Sequence, residues 1–181
     1  MTPVRRIAIL GAESSGKSTL AAALAVHYDT VWVPEYLREF VETHARVPFE
    51  SDQFLIAQIQ MEREHAAAAL ADGFLFCDTT PFMTAIYSGV YWRRVDPLLA
   101  ALDRLHDYAV TLVTAPDGPW VPDGLQRESA AVRQSVHEAV IDKLERRSIA
   151  YTLVTGSLEQ RVPQAVEVLN FALLSTDRNH S

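Results

Sequence analysis

Gly11-Ala12-Glu13-Ser14-Ser15-Gly16-Lys17-Ser18 fits the spacing G-x-x-x-x-G-K-[ST] at every position. Residues of these types in this order suit the phosphates of a nucleoside triphosphate, ATP or GTP. The glycines let the backbone turn tightly, so that successive N–H groups point at phosphate oxygens. A helix beginning at the end of the loop would present its positive terminus to the same anion. Lys17 is placed to reach the β- and γ-phosphates, and the Ser18 hydroxyl to ligate magnesium. The nucleotide-binding set is Gly11, Glu13, Ser14, Ser15, Gly16, Lys17, Ser18 and Thr19.

Two acids follow apolar runs further along the chain. Glu35, in Val33-Pro34-Glu35-Tyr36-Leu37-Arg38, could accept the proton of a substrate hydroxyl as that hydroxyl attacks the γ-phosphate. It could equally be a carboxylate at the start of a surface helix, stabilised by the helix dipole. Asp78 closes Phe74-Leu75-Phe76-Cys77-Asp78. An acid after a buried apolar strand is costly unless paired, and magnesium, held directly or through water, is the partner expected beside a phosphate loop. The alternative is a cap on the next helix. Arg127 and Arg133 lie where a basic segment could close over transferring phosphates. Phe82, Tyr87, Tyr91 and Trp92 are core residues of an amphipathic helix or flat partners for a cationic ring.

The elements that position these groups are legible as alternation. Short β-prone runs at 4–10, 30–33, 74–77, 108–114 and 149–154 are separated by helical patterns at 17–28, 35–46, 53–71, 81–91, 96–106, 125–147 and 157–174. Strands alternating with helices predict an α/β domain, a five-stranded parallel sheet covered on both faces. A helical lid is expected over about 115–147, one domain over 1–174, and a frayed polar tail over 175–181.

Composition bounds the rest. The 181 residues suit one domain with a sizeable core. A hydrophobic share of 49% with 22% charged residues is that of a folded chain. A net charge of -7 argues against a broad nucleic-acid footprint. No apolar run approaches the ~20 residues that cross a bilayer, and Ile7–Leu10 is too short for a signal-peptide core. One cysteine, Cys77, excludes an internal disulfide and fits a reducing, cytoplasmic setting. The six histidines lack metal-site spacing.

Four blocks together resemble the ribosylnicotinamide kinase domain of the bacterial NAD-biosynthesis protein NadR. They are Glu13-Ser14-Ser15-Gly16-Lys17-Ser18, Glu35-Tyr36 with Arg38-Glu39-Phe40, Asp78-Thr79, and Trp120-Val121 with Asp123-Gly124-Leu125. The resemblance implies a P-loop kinase in which ATP and magnesium phosphorylate the 5′-hydroxyl of nicotinamide riboside. It implies Glu35, Tyr36, Arg38, Tyr87, Trp120 and Asp123 on the substrate, Ser18 and Asp78 on the metal, and Lys17, Glu35, Asp78 and Arg127 in catalysis. By analogy with P-loop small-molecule kinases, whose base follows the second strand, Glu35 is the expected base. The family often has an acid where this chain has Thr80, and Trp-Val-Asp-Asp-Gly-Leu-Arg where this chain carries Pro122 and Gln126. Ten residues precede Gly11, so the expected activity is the kinase half alone, without the family's adenylyltransferase domain. The rival expectations are a kinase of another nucleoside or small alcohol, and a switch ATPase with no phosphoryl acceptor.

Overall fold

The apolar run before the glycine loop forms β1 (Arg5–Leu10), the middle strand of a sheet in the computed structural model, which describes residues 4–119 and 129–177. The other strands are β2 (Trp32–Val33), β3 (Phe74–Asp78), β4 (Val110–Thr114) and β5 (Thr152–Val154). Between and after them run α1 (Lys17–His27), α2 (Tyr36–His44), α3 (Gln53–Ala68), α4 (Pro81–Trp92), α5 (Pro97–Arg104), α6 (Ala130–Arg146) and α7 (Leu158–Asp177). A single 3-10 turn, Glu50–Asp52, leads into α3. The sheet order is β2-β3-β1-β4-β5, and every pairing is parallel. The chain leaves β1 towards one edge and later returns to fill the other. The reversal lies at β1, and ligand crevices in such sheets open at the carboxyl ends of the strands there.

Alternation along the strands explains the layers. Ile7 and Ile9 face one side with Phe74, Phe76, Leu112 and Val154, against Leu20 and Leu24 of α1 and Leu169 of α7. Ala8, Leu10 and Val113 face the other, against Phe82, Met83 and Ile86 of α4 and Val136, Val140 and Leu144 of α6. Cys77 joins Leu75 and Val33 beside α3, as a small buried hydrophobe. Among the described residues no helix is long and apolar enough to cross a membrane.

Several boundaries differ from expectation, two of them for a visible local reason. β2 starts at Trp32 rather than residue 30 because the Thr30 hydroxyl is spent in a turn, donating to the Phe74 carbonyl at 2.8 Å and accepting from Asp72 N–H. β5 starts at Thr152 rather than residue 149 because Ile149 N–H closes α6, bonding to the Leu144 carbonyl at 3.0 Å. The last helix runs to Asp177, three residues beyond the Leu174 at which the polar composition placed its end. The segment expected as a helical lid over about 115–147 is described at 115–119 and from 129 onward. From Ala130 onward it is α6, whose Val136, Val140 and Leu144 are fully buried against the sheet.

One buried acid ties α3 to the sheet. Glu64 is fully buried and accepts a 2.8 Å bond from the Tyr108 hydroxyl, while its second oxygen has no hydrogen-bond partner among the described residues. Burial raises its pKa to about 7, against a smaller pull from Tyr108 and Arg6. A carboxyl raised in the folded state costs nothing below its unfolded value near 4.5. It destabilises increasingly as pH climbs to about 7, by about 3 kcal/mol at ~1.4 kcal/mol per unit. Glu64→Gln is therefore expected to raise the melting temperature at pH 8 and leave it little changed at pH 4. Equal shifts at both pH values would contradict a buried, titrating Glu64.

Candidate functional site

The phosphate loop lies between β1 and α1, and its backbone obeys the motif's steric demands. Gly11 has φ 150°, and a side chain there would collide with Thr114 and Ser15. Gly16 caps α1 with φ 85°, in the left-handed region that favours glycine. Ser14 also takes positive φ, at 52°. The loop is braced from within. The Ser15 hydroxyl donates to the Ala12 carbonyl at 2.6 Å and shares a 2.6 Å bond with the Thr114 hydroxyl. The Thr114 hydroxyl lies 3.2 Å from the Leu10 carbonyl. Lys17 folds over the loop and donates to the Ala12 carbonyl at 3.1 Å, a neutral acceptor. Glu13 is half-buried and Thr19 exposed.

Asp78 reaches this loop because the register aligns it with Ile9 of β1, one residue before β1 ends. It is fully buried and accepts a 2.5 Å hydrogen bond from the Ser18 hydroxyl. The chain then turns at Thr79, whose N–H bonds the Ile9 carbonyl at 3.2 Å with φ at 68°. Thr80 is fully buried at the start of α4, so an acid at that position would sit inside the protein.

Glu35 is the last residue before α2 and belongs to the same cleft. Burial pushes its carboxyl above the ordinary range. The Lys17 ammonium opposes that rise, the Asp78 charge adds to it, and the Thr79 hydroxyl and Arg38 lower it again. Asp78 is raised for the same first reason, against Lys17 and the Ser18 hydrogen bond. The structure thus brings together Lys17, Ser18, Glu35, Asp78 and Arg38. Two acids and one buried cation share a cleft at the ends of β1, β2 and β3.

Gln60 of α3 holds the two acids in relation to each other, and sequence reasoning missed it. It is buried, its Oε1 accepts from Tyr36 N–H at 2.8 Å, and its Nε2 donates to the Asp78 carbonyl at 3.4 Å. One side chain therefore fixes the start of α2 against the end of β3. A glutamine in a long helix gives no local signal of this. Tyr36 itself packs edge-on against Phe40 at 6.5 Å and lies under the Arg63 guanidinium at 4.6 Å.

The remaining expected residues are placed as follows. Phe82 is a core residue. Tyr87 is half-buried against the same cluster, its ring stacked on Tyr91 at 6.1 Å. Arg133 is buried on α6 and donates to the Gly118 carbonyl at 3.0 Å. Trp120, Asp123 and Arg127, with Pro122 and Gln126, lie outside the described residues.

Among the described residues no cluster of three or more His, Cys, Asp and Glu could cage a metal. The Ser18 hydroxyl and Asp78 carboxylate are hard oxygen donors already in contact. That pair fits magnesium, which takes one or two protein oxygens and fills its octahedron with phosphate and water.

A family model described as an AAA domain matches residues 6–161. The trifunctional NAD biosynthesis/regulator protein NadR of Escherichia coli (strain K12) is 31% identical over 156 residues, covering 83% of this chain and 38% of that protein. The chain therefore spans about two fifths of the length of this relative. A crystal structure of a NadR protein in complex with NR superposes with a TM-score of 0.83 at 20% identity, covering 94% of this chain and 52% of the other. Thymidylate kinase from Candida albicans gives 0.66 at 15% identity, covering 99% and 94%. Both structures share this fold.

Proposed function

From the premise that the chain belongs to the AAA-domain family, whose model spans residues 6–161, we propose that it is a magnesium- and ATP-dependent kinase of a nucleoside. The acceptor proposed first is the 5′-hydroxyl of nicotinamide riboside. The observation that carries this reading is the convergence of Lys17, Ser18, Glu35 and Asp78 at the ends of three adjacent strands. The likeness to NadR in sequence supports the choice of acceptor.

The chemistry assigned to each group follows from its place. The loop N–H groups and the α1 terminus hold the phosphate chain. Lys17 exchanges the Ala12 carbonyl for phosphate oxygen and offsets charge on the transferring group. Ser18 and Asp78 would hold magnesium, which when bound neutralises β- and γ-phosphate charge. Glu35 accepts the proton of the acceptor hydroxyl. That oxygen bonds to the γ-phosphorus as the bond to the bridging oxygen breaks, and ADP leaves. The raised Glu35 pKa brings this base nearer to neutral pH, where proton acceptance is more effective. Arg38, also in this electrostatic field, is assigned to the substrate side of the cleft.

ADP release in the presence of magnesium and ATP tests the proposal. It is measured without acceptor, then with nicotinamide riboside and a panel of ordinary nucleosides. Release that depends on nicotinamide riboside is the expected result. Release with another nucleoside alone would replace the acceptor but keep the kinase. Release without any acceptor would replace the kinase by a hydrolytic switch.

A further inference from the structure

We infer that Arg161 is a positioning residue for the phosphate loop, aiming its backbone donors at the nucleotide from behind; this rests on the nucleotide-binding reading above. Arg161 lies on α7, 146 residues from its partner in the loop. It is buried. One guanidinium nitrogen donates to the Ser15 carbonyl, and the other to the Ala115 carbonyl at 2.9 Å and to the Asp117 carboxylate.

The consequence for phosphate binding is geometric. A trans peptide points its C=O and the following N–H in opposite directions. By holding the Ser15 carbonyl on the α7 side, Arg161 turns the Gly16 N–H away from α7, and in loops of this kind backbone N–H groups are what meet phosphate. The approach is close. A Cβ on Gly16 would lie 3.0 Å from Arg161 Nη1, so Gly16 is needed both for its positive φ and for room beneath the loop.

Asp117 makes the buried cation tolerable and fixes its direction. Its second oxygen accepts from Gly156 N–H at 2.6 Å, so the carboxylate joins the loop after β4 to the loop after β5. Burial raises the Asp117 carboxyl, but the Gly156 N–H and the Arg161 guanidinium outweigh it and hold the group below its ordinary range, ionised at neutral pH. The β5–α7 loop is itself held, with Gln164 bonding both Thr155 N–H and the Thr155 carbonyl. Phosphate loop, Arg161, Asp117 and Gly156 thus form one chain of contacts beneath the nucleotide's phosphates.

Three variants test this: Arg161→Met, Arg161→Lys and Asp117→Asn. Dissociation constants for magnesium-ATP and for inorganic tripolyphosphate are measured by calorimetry, well below each variant's melting temperature. Arg161→Met is expected to weaken both ligands by the same factor, about tenfold or more, since misaiming a loop N–H forfeits a hydrogen bond to a charged phosphate. Arg161→Lys, which keeps the charge but cannot fork between two carbonyls, is expected to fall between Met and wild type. Asp117→Asn is expected to weaken both ligands less than Arg161→Met. If Arg161→Met fails to fold, Arg161→Lys decides on the same measurement. A variant that melts lower but binds both ligands as wild type does would reduce Arg161 to a structural tie and overturn the inference. Wild-type protein that binds neither ligand would instead remove the nucleotide-binding reading on which the inference stands.

Discussion

Lys17→Ala is expected to lower phosphoryl transfer by about 100- to 1,000-fold, the usual cost of removing one pre-aimed stabiliser of transition-state charge, while the protein stays folded. The fold survives because, among the described residues, Lys17 donates to the Ala12 carbonyl, which keeps its 2.6 Å bond from the Ser15 hydroxyl. The buried Asp78 carboxyl loses its facing cation but keeps its hydrogen bond from the Ser18 hydroxyl. The electrostatic effect reaches further than the phosphates. Lys17 is the leading opponent of the burial that raises both Glu35 and Asp78, so its loss lets both acids rise further. The variant should therefore also lose its residual activity at a higher pH than wild type does. Steady-state turnover over a pH series, with circular dichroism to establish folding, checks both points. Near-normal turnover would end the role given to the loop lysine.

Glu35→Gln is expected to reduce turnover by about 100-fold or more while changing ATP affinity only a few-fold, the pattern of a lost general base. The isosteric amide keeps the Thr79 contact, so the loss is of basicity rather than packing. The pH dependence follows from the direction of the shift. As the proposed base, Glu35 would work as a carboxylate, and burial raises its pKa above 4.5. Wild-type activity should fall as pH drops through that raised value, and the acid limb should be absent from the variant's residual rate. Turnover that barely changes would transfer the base role to Asp78, which stands in the same cleft with its own raised pKa.

What could be read ahead of the structure was what local chemistry encodes. The loop glycines, Lys17 and Ser18 declare themselves by spacing. Asp78 declares itself because an acid ends an apolar strand, and the parallel sheet follows from alternating strand and helix patterns. Glu35 was visible as a position but not as a partner of Lys17, since nothing local says where β2 lies relative to β1. Its place depends on β2 pairing with β3 rather than with β1, a choice made by packing. Gln60, Thr114 and Arg161 stayed silent for the same reason. Each is an ordinary polar residue on a helix or strand, and each acts on a group 18 to 146 positions away. Boundaries slipped where a side chain competed with the ladder, as the Thr30 hydroxyl does at the start of β2.

The long reach of Arg161 also sets the order in which the protein can become competent during synthesis. Residues of the phosphate loop leave the ribosome before the rest of this fold, yet the strands on both sides of β1 are β3 and β4, and the clamp on the Ser15 carbonyl comes from α7. At about 5–20 residues per second, an interval of roughly 7–30 s separates the loop from its clamp. A nascent chain stopped before α7 would carry the full motif but lack the scaffold that aims it. Nucleotide would then favour finished molecules over partial ones, because a ligand stabilises only the state that binds it. Cellular ATP would in this way act as a late check on folding as well as a substrate.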